Sequence, residues 1–326
     1  MKKIIFIILK LILTLTIIFA FITSYNKVTP TIKTLLKKET IEIKLEKLNY
    51  SNNDIELIKK YVSEDNINYI ITYNPDKKTT LNFINETYYI DEYLQKYLEY
   101  YNNNQNKTTT EIITIINTHT DKTFYQNDIK TDTTLGKYVI LNKYYYADNS
   151  YPNNDIVSVP GKYHINGTSV KLNKECYEAF LKMYNDAYKA GYGFKLKSAY
   201  RSYDTQVDTY NYWKAKDGQK KADTYSARAG HSEHQTGYAF DIRDYDYKFK
   251  DYSKSASFTW VSKNAHKYGF ILRFPKGKEH ITGYQYESWH YRYCGIECAT
   301  YIYENDITYE EYYEYFIKYN NPKNLK

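Results

Sequence analysis

The chain has 326 residues, of which 42% are hydrophobic and 25% are charged, and its formal net charge is +7. Both fractions are close to the averages of globular proteins, which excludes a disordered chain and a membrane protein with several spans. Three lysines of residues 1–25 account for part of the charge, and without them it is only +4. So small a charge does not indicate a nucleic-acid-binding surface, which needs clustered basic residues. We therefore expect no nucleic-acid partner, and no pattern indicates a protein partner.

Residues 1–25 have the pattern of an export signal. Lysines at positions 2 and 3 precede an apolar stretch that extends from Ile4 to Thr23 and is interrupted only by Lys10. The Lys10 side chain could reach the membrane interface, which would allow a span of about 20 residues. Because no small-residue cleavage motif follows, we predict a retained membrane anchor, with a removed signal peptide as the alternative. In either case the lysine end stays in the cytoplasm and the rest of the chain is extracytoplasmic, anchored or secreted.

The next part of the sequence, residues 26–105, is predicted to be a helix-rich leader or spacer. Apolar residues recur at spacings of three and four in 53–62 and 90–101, so each segment is predicted to form a helix with one buried face. The polar, low-complexity stretch 102–110 is predicted to be a linker.

Strands and helices alternate in the remaining sequence, 106–326, which predicts an α+β domain. β-branched and aromatic residues predict strands at 112–117, 138–145, 194–200, 238–242, 270–274 and 289–293. Apolar residues at helical spacing predict helices at 172–191, 203–213, 258–268 and 309–319.

The three cysteines cannot all pair with one another, so we expect buried free thiols rather than a disulfide framework.

Two short segments of this domain combine histidine with acidic residues. His234, Asp241 and His290 could supply the three protein ligands of a catalytic zinc ion, and Glu287 could supply the carboxylate that takes a proton from water. Asp241 lies in a predicted strand, so the site would be assembled from strands and an entry loop rather than from one helical turn. By spacing alone, structural histidines with a surface glutamate are an equal alternative. His231 is predicted to orient the loop or to support the ligands from outside.

The motifs around these residues resemble a known family. Ser232–Asp241 reads S-x-H-x-x-G-x-A-x-D, and Glu287–His290 reads E-x-W-H. Together with Ser198–Ser202, Gln206 and Tyr268–Pro275, they resemble the VanY-type D-alanyl-D-alanine carboxypeptidases, which are zinc peptidases of the M15 type. The resemblance implies a Hedgehog/DD-peptidase-like fold with a central antiparallel sheet flanked by helices. It covers about 155–325, which we take as the core of the catalytic domain.

The family's functional residues can be assigned by position. The resemblance implies a Zn²⁺ ion held by three ligands, namely His234, Asp241 and His290. Glu287 would deprotonate the water, and Arg201 would polarise the scissile carbonyl or hold the C-terminal carboxylate of the substrate. Three residues would contact the substrate or shape the pocket, namely Ser232, Gln206 and Trp289.

Together with the export signal, the resemblance implies an extracytoplasmic zinc carboxypeptidase that removes the terminal D-Ala from peptidoglycan stem peptides. One alternative is an L,D-carboxypeptidase that acts on tetrapeptide stems, because the two activities differ in pocket shape around one stereocentre. A second alternative is a non-catalytic, zinc-containing module that binds the cell wall. The presence of Glu287 argues against this module, since a protein without turnover needs no general base.

Overall fold

The computed structural model describes residues 14–24, 39–126, 128–152, 155–165, 169–245 and 251–320. The chain divides into two compact units, Met1–Leu81 and Asn82–Lys326. Much of the predicted membrane anchor lies outside the described residues, and its described part, 14–24, is helical (α1). Among the described residues, no helix has both the length and the apolar run that crossing a bilayer requires.

The described residues of the first unit form helices and the turns between them. After α1 come three short helices, α2 (Ile41–Lys47), α3 (Asn52–Tyr61) and α4 (Glu64–Tyr73), and α5 (Lys77–Asn85) crosses the unit boundary. Helix α3 confirms the helix predicted at 53–62. Ser51 caps its N-terminus. The Ser51 side chain accepts a hydrogen bond from the amide of Asp54, and the Asp54 side chain accepts one from the amide of Ser51, which satisfies two free donors at the start of the helix.

The second unit begins with two further helices, α6 (Leu94–Asn103) and α7 (Thr109–Asn117). Helix α6 confirms the helix predicted at 90–101, whereas the strand predicted at 112–117 was wrong because α7 occupies these residues. Thr108 and Glu111 form a reciprocal capping pair at the start of α7, which favours a helix. Ile112, Ile113 and Ile116 then fall on its buried face. Both helices belong to the second unit, although 102–110 was predicted to be a linker.

Two small two-stranded sheets follow. β1 (Ile129–Lys130) pairs in parallel with β2 (Tyr145–Tyr146), and β3 (Ile156–Ser158) pairs antiparallel with β4 (Lys171–Asn173). The strand predicted at 138–145 was therefore wrong except at its last residue. The carbonyl oxygens of Lys137 and Val139 accept hydrogen bonds from the Arg292 guanidinium, so these backbone groups bond to a side chain rather than to a neighbouring strand.

A four-stranded sheet forms the centre of the second unit and confirms the predicted antiparallel sheet. Its strands are β5 (Phe194–Ser198), β6 (Ala239–Asp244), β7 (Phe270–Leu272) and β8 (His290–Tyr293), in the order β5-β6-β8-β7 with every neighbour antiparallel. The remaining helices are α8 (Lys174–Lys189), α9 (Tyr203–Asp217), α10 (Gln219–Ala222), α11 (Ala256–Asn264), α12 (Glu279–Thr282), α13 (Ile296–Asn305) and α14 (Tyr309–Tyr312), which continues into a π-helix at Tyr313–Lys318.

One face of the sheet packs into the main apolar core. The ring of Phe180, on α8, lies 5.5 Å from that of Phe240 and 6.1 Å from that of Phe194. Ile242 is buried in the same core. Because side chains alternate along a strand, Phe240 and Ile242 point to this core and Asp241 points to the opposite face. Core packing therefore determines which face of the sheet carries the predicted ligand.

Candidate active site

Three of the predicted residues converge on the second face of the sheet. Asp241 of β6 and His290 of β8 are directly opposite each other in the antiparallel register, so their side chains project from the same face. Asp241 Oδ1 lies 3.1 Å from His290 Nδ1, and Asp241 Oδ2 lies 3.6 Å from His234 Nε2. One donor atom from each of the three residues lies within 4.8 Å of the other two. The carboxylate therefore lies between two imidazoles.

His234 is oriented by the turn that carries it. The 3-10 turn Glu233–Thr236 ends at Gly237, which has a φ of 73°. This left-handed φ favours glycine, and a Cβ at Gly237 would also lie only 3.1 Å from the backbone nitrogen of Asn173. His234 Nδ1 lies 2.7 Å from the carbonyl oxygen of Ala199. That carbonyl can only accept, so the proton sits on Nδ1 and the lone pair of Nε2 faces Asp241.

This donor set fits a catalytic zinc ion. Two imidazole nitrogens and one carboxylate oxygen match the three protein ligands of such sites, which leave one position for water or substrate. The Nδ1–H contact of His234 with a backbone carbonyl is the kind of outer contact that fixes a ligating histidine. Burial lowers the pKa of His234 to about 3, so its Nε2 is available as a neutral ligand at neutral pH.

The carboxylate of Glu287 lies beside this cluster. Its Oε2 atom is 3.8 Å from His290 Nδ1. Burial is the main cause that raises the pKa of Glu287 to about 8, and the charge of Asp241 acts in the same direction. Burial alone would raise the pKa of Asp241 too, but His234, His290 and Arg201 outweigh it and lower that pKa to about 2. The pKa values of the two carboxyl groups are therefore shifted in opposite directions, which is a feature of acid–base sites.

Arg201 is held at the cavity by neighbouring polar groups. Its Nη1 donates to Gln206 Oε1 at 2.7 Å, and its Nη2 donates to Ser198 Oγ at 3.1 Å. Gln206 is buried and donates in turn to the carbonyl oxygen of Ala227 at 2.6 Å. The amide of Arg201 donates to the carbonyl oxygen of His234 at 3.1 Å, which joins the arginine loop to the ligand turn.

A cavity of about 300 Å³ opens over the cluster. All eight predicted site residues line it, namely Arg201, Gln206, Ser232, His234, Asp241, Glu287, Trp289 and His290. Trp289 also packs against the main core, so it belongs both to the cavity wall and to the core. His231 lines the cavity as well, but its Nδ1 lies 2.7 Å from the carbonyl oxygen of Asn142. This contact ties the loop to the preceding segment.

A buried ion-pair network that the sequence motifs do not predict lies behind the cluster. Arg273 Nε and Arg292 Nη1 both donate to Glu233 Oε1, at 2.8 and 3.1 Å. Arg273 also donates to both carboxylate oxygens of Glu310, at 2.6 and 2.9 Å. Burial alone would raise the pKa of Glu233, but the two arginines outweigh it and hold the pKa well below its ordinary value. The sequence contains one sign of this network, because Arg273 and Arg292 each lie inside a predicted strand of otherwise apolar or aromatic residues.

In this domain of helices and sheet, two histidines, an aspartate and a buried glutamate converge on one cavity. This is the arrangement of a metal-dependent hydrolase. Residues 169–296 match the VanY family model, which is described as D-alanyl-D-alanine carboxypeptidase.

Curated proteins and a solved structure are similar to the same part of the chain. YodJ of Bacillus subtilis, which bears the name of a carboxypeptidase, is 39% identical over 180 residues, or 54% of this chain and 66% of YodJ. A D-alanyl-D-alanine carboxypeptidase of Enterococcus faecium is 32% identical over 187 residues, or 55% of this chain and 58% of the relative. The solved structure of the LdcB LD-carboxypeptidase has a TM-score of 0.54 and 36% identity, and the match covers 58% of this chain and 91% of LdcB.

The chain belongs to the VanY-type family of carboxypeptidases, which are peptide hydrolases. The match spans less than two thirds of the length of either curated relative.

Proposed function

We propose that this chain is an extracytoplasmic, zinc-dependent D-alanyl-D-alanine carboxypeptidase that removes the terminal D-Ala from peptidoglycan stem peptides. The observation that carries the proposal is the convergence of His234 Nε2, Asp241 and His290 Nδ1 at a cavity that also contains Glu287 and Arg201. The substrate class is supported by the family model and by the relative from Enterococcus faecium.

His234, Asp241 and His290 would hold the metal. When bound, Zn²⁺ supplies Lewis acidity that polarises a carbonyl and makes water nucleophilic at neutral pH. Such a charge would also lower the pKa of Glu287, which burial raises to about 8. The carboxylate form of Glu287 would then be available as a base near neutral pH.

Glu287 is the proposed proton carrier. Its carboxylate takes the proton of the attacking water and delivers it to the amine of the departing D-Ala. It is suited to both steps because it lies next to the ligands without being one of the three converging donors. This role also argues against a non-catalytic module, because a module that only binds needs no buried carboxyl group in that position.

Arg201 is proposed to bind the substrate. A guanidinium can pair with a terminal carboxylate through two parallel hydrogen bonds, or it can stabilise the negative charge that develops on the scissile carbonyl. The contacts with Gln206 and Ser198 fix its plane before the substrate arrives. In the first role, a preoriented cation of this kind would select peptides that end in a free carboxylate.

A second candidate activity is L,D-carboxypeptidase activity on tetrapeptide stems. It is favoured by the similarity to LdcB, which extends over 91% of that chain. Both activities use the same arrangement of ligands and base, and they differ in the configuration of the residue that precedes the terminal D-Ala.

Product analysis separates these candidates. Purified protein is incubated with a stem pentapeptide that ends in D-Ala-D-Ala and, separately, with the matching tetrapeptide, and the products are identified by mass spectrometry. The proposal predicts release of one D-Ala from the pentapeptide, with the tetrapeptide left intact. Cleavage of the tetrapeptide alone would instead assign the L,D activity, and metal binding without release from either peptide would assign a binding module.

The extracytoplasmic location rests on the sequence of residues 1–25, with its lysines followed by an apolar stretch. Expression of the full chain in bacterial cells, followed by fractionation and protease treatment of intact protoplasts, tests it. We expect the chain in the membrane or extracellular fraction, with the second unit accessible to protease from outside. A chain that stays in the soluble cell contents and is protected from protease would contradict this location.

A further inference from the structure

Two buried polar atoms face each other behind the ligand cluster. Glu233 Oε2 and His290 Nε2 lie 3.8 Å apart, and both residues are buried. Neither atom has a hydrogen-bond partner among the described residues. Buried polar atoms without partners are uncommon in folded proteins because each carries a desolvation cost. The pair is therefore a candidate for a contact that forms when the site is loaded.

The position of Glu233 is fixed from its other side. Its Oε1 atom accepts from Arg273 and from Arg292, both completely buried, so the carboxylate cannot rotate without breaking two charged hydrogen bonds. This arrangement directs Oε2 toward the imidazole of His290. A movement of about 1 Å would bring the two atoms within N–H···O range.

Each of the two ligating histidines has one ring nitrogen toward Asp241 and the other toward an oxygen atom. His234 has its outer nitrogen, Nδ1, on the carbonyl oxygen of Ala199. His290 has the opposite orientation, because its Nδ1 faces Asp241 and its Nε2 faces Glu233. A carboxylate can only accept a hydrogen bond, so it favours the His290 tautomer with the proton on Nε2 and a lone pair on Nδ1.

We propose that Glu233 is a positioning residue for the metal centre, which accepts the Nε2–H of His290 and so keeps His290 Nδ1 free to bind the ion. This inference rests on the proposed function, since it requires His290 to be a ligand. The network of Arg273 and Arg292 holds Glu233 in place, and Glu310 of α14 neutralises Arg273 from the far side. Helix α14 is thereby joined to a metal ligand through two ion pairs.

The test compares two isosteric substitutions in one network. In Glu233→Gln, the amide oxygen can still accept from the arginines, but an NH₂ group then faces His290 Nε2. An NH₂ group can only donate, so His290 must carry its proton on Nδ1, the atom that faces Asp241. Glu310→Gln removes the same charge from the same network without approaching His290. It is therefore the matched control for a purely structural effect.

Zn²⁺ affinity is measured for the wild type and both variants by competition with a chromophoric chelator, and thermal melting monitors folding. We expect Glu233→Gln to weaken Zn²⁺ binding about 10- to 100-fold, as is usual for loss of an outer partner of a ligating histidine. Glu310→Gln should keep the affinity within about twofold of the wild type, even where both variants lose thermal stability. Equal affinities of Glu233→Gln and the wild type would overturn this inference alone, whereas a wild type that binds no Zn²⁺ would overturn it together with the proposed function.

A second measurement needs no variant of Glu233. In ¹⁵N-histidine-labelled wild-type protein loaded with Zn²⁺, the His290 signals are assigned from their loss in His290→Gln. The inference predicts a proton on Nε2 with a slowly exchanging N–H signal. A proton on Nδ1 of His290 in the loaded protein would contradict it, and this readout is available even if Glu233→Gln does not fold.

Discussion

Two buried clusters of histidine and carboxylate in the described part of the second unit differ in their organisation. In one, the cavity cluster, His234, Asp241, His290 and Glu287 converge at a cavity of about 300 Å³. In the other, the tail cluster, four side chains join the turn after α7 and strand β2 to the C-terminal π-helix, namely His119, Tyr145, Glu314 and Lys318. Glu314 lies 3.1 Å from His119 Nε2, and it accepts from Tyr145 Oη at 2.5 Å and from Lys318 Nζ at 2.9 Å.

The difference shows what makes buried polar residues a functional site. In the tail cluster, both carboxylate oxygens of Glu314 are paired with neighbouring side chains, and these contacts outweigh burial and lower its pKa. In the cavity cluster, burial raises the pKa of Glu287 to about 8, and donor atoms face one another at distances suited to a shared ion. Residue type and burial are common to both clusters. Only the cavity cluster also has donor atoms that converge at a cavity.

The largest expected difference between the clusters is in metal binding. His234→Gln should abolish stoichiometric Zn²⁺ binding and peptide hydrolysis, because two protein ligands do not suffice for a catalytic site. His119→Gln is the matched control in the tail cluster, and it should retain about one ion per chain. Metal content by inductively coupled plasma mass spectrometry tests both variants. A loss of zinc from the His119 variant would contradict the claim that only the cavity cluster binds the metal.

Glu287→Gln should reduce turnover by about 10²- to 10⁴-fold, the usual contribution of general acid–base catalysis. The amide keeps the size of the side chain but cannot accept the proton. Zn²⁺ content should stay at the wild-type level, since Glu287 is not one of the three converging donors. The rate of D-Ala release is measured at saturating substrate, and an unchanged rate would exclude Glu287 as the proton carrier.

Arg201→Lys should lower kcat/KM by about 10- to 100-fold, because a hydrogen bond to a charged group contributes about 1.5–3 kcal/mol. Lysine keeps the charge but loses the planar pair of donors. A substrate with an amidated C-terminus distinguishes the two proposed roles. If Arg201 holds the carboxylate, the variant and the wild type should cleave the amidated peptide equally poorly, whereas a further loss in the variant would indicate that it stabilises the scissile carbonyl.

The smallest effect is expected from Glu314→Gln in the tail cluster. Loss of charged hydrogen bonds in a buried setting should cost about 1–2 kcal/mol of unfolding free energy, with no change in Zn²⁺ affinity. Folding lowers the pKa of Glu314 from its ordinary value of 4.5. The difference in unfolding free energy between the wild type and the variant is therefore full above pH 4.5, and it disappears as the pH falls through the folded pKa. Urea denaturation at several pH values measures it, and a pH-independent difference would contradict the electrostatic origin.

Sequence patterns predicted the central elements because their apolar periodicity is strong. The failure at 112–117 has an identifiable cause. A run of isoleucines and a threonine favours a strand, but Thr108 and Glu111 in front of it form a capping pair that starts a helix. The capping signal was readable in the sequence, whereas the tertiary contacts of Ile112 and Ile116 were not.

The candidate site was predicted from its motifs, and all of the predicted residues line one cavity. Glu233 was overlooked although it lies between two motif residues, because its importance depends on partners that are distant in sequence. Arg273 and Arg292 approach it from 40 and 59 residues away. A charged residue in a buried strand suggests an ion pair, but local patterns cannot identify its partner.

The central claim is that the cavity cluster is a hydrolytic zinc site, and one purified sample tests it most directly. Zinc content and D-Ala release from a stem peptide are measured before treatment with a chelator, after removal of the metal, and after Zn²⁺ is added back. We predict about one zinc ion per chain, loss of hydrolysis on removal and recovery on addition. Hydrolysis that persists in metal-free protein, or a fully folded sample that neither binds zinc nor releases D-Ala, would contradict the claim.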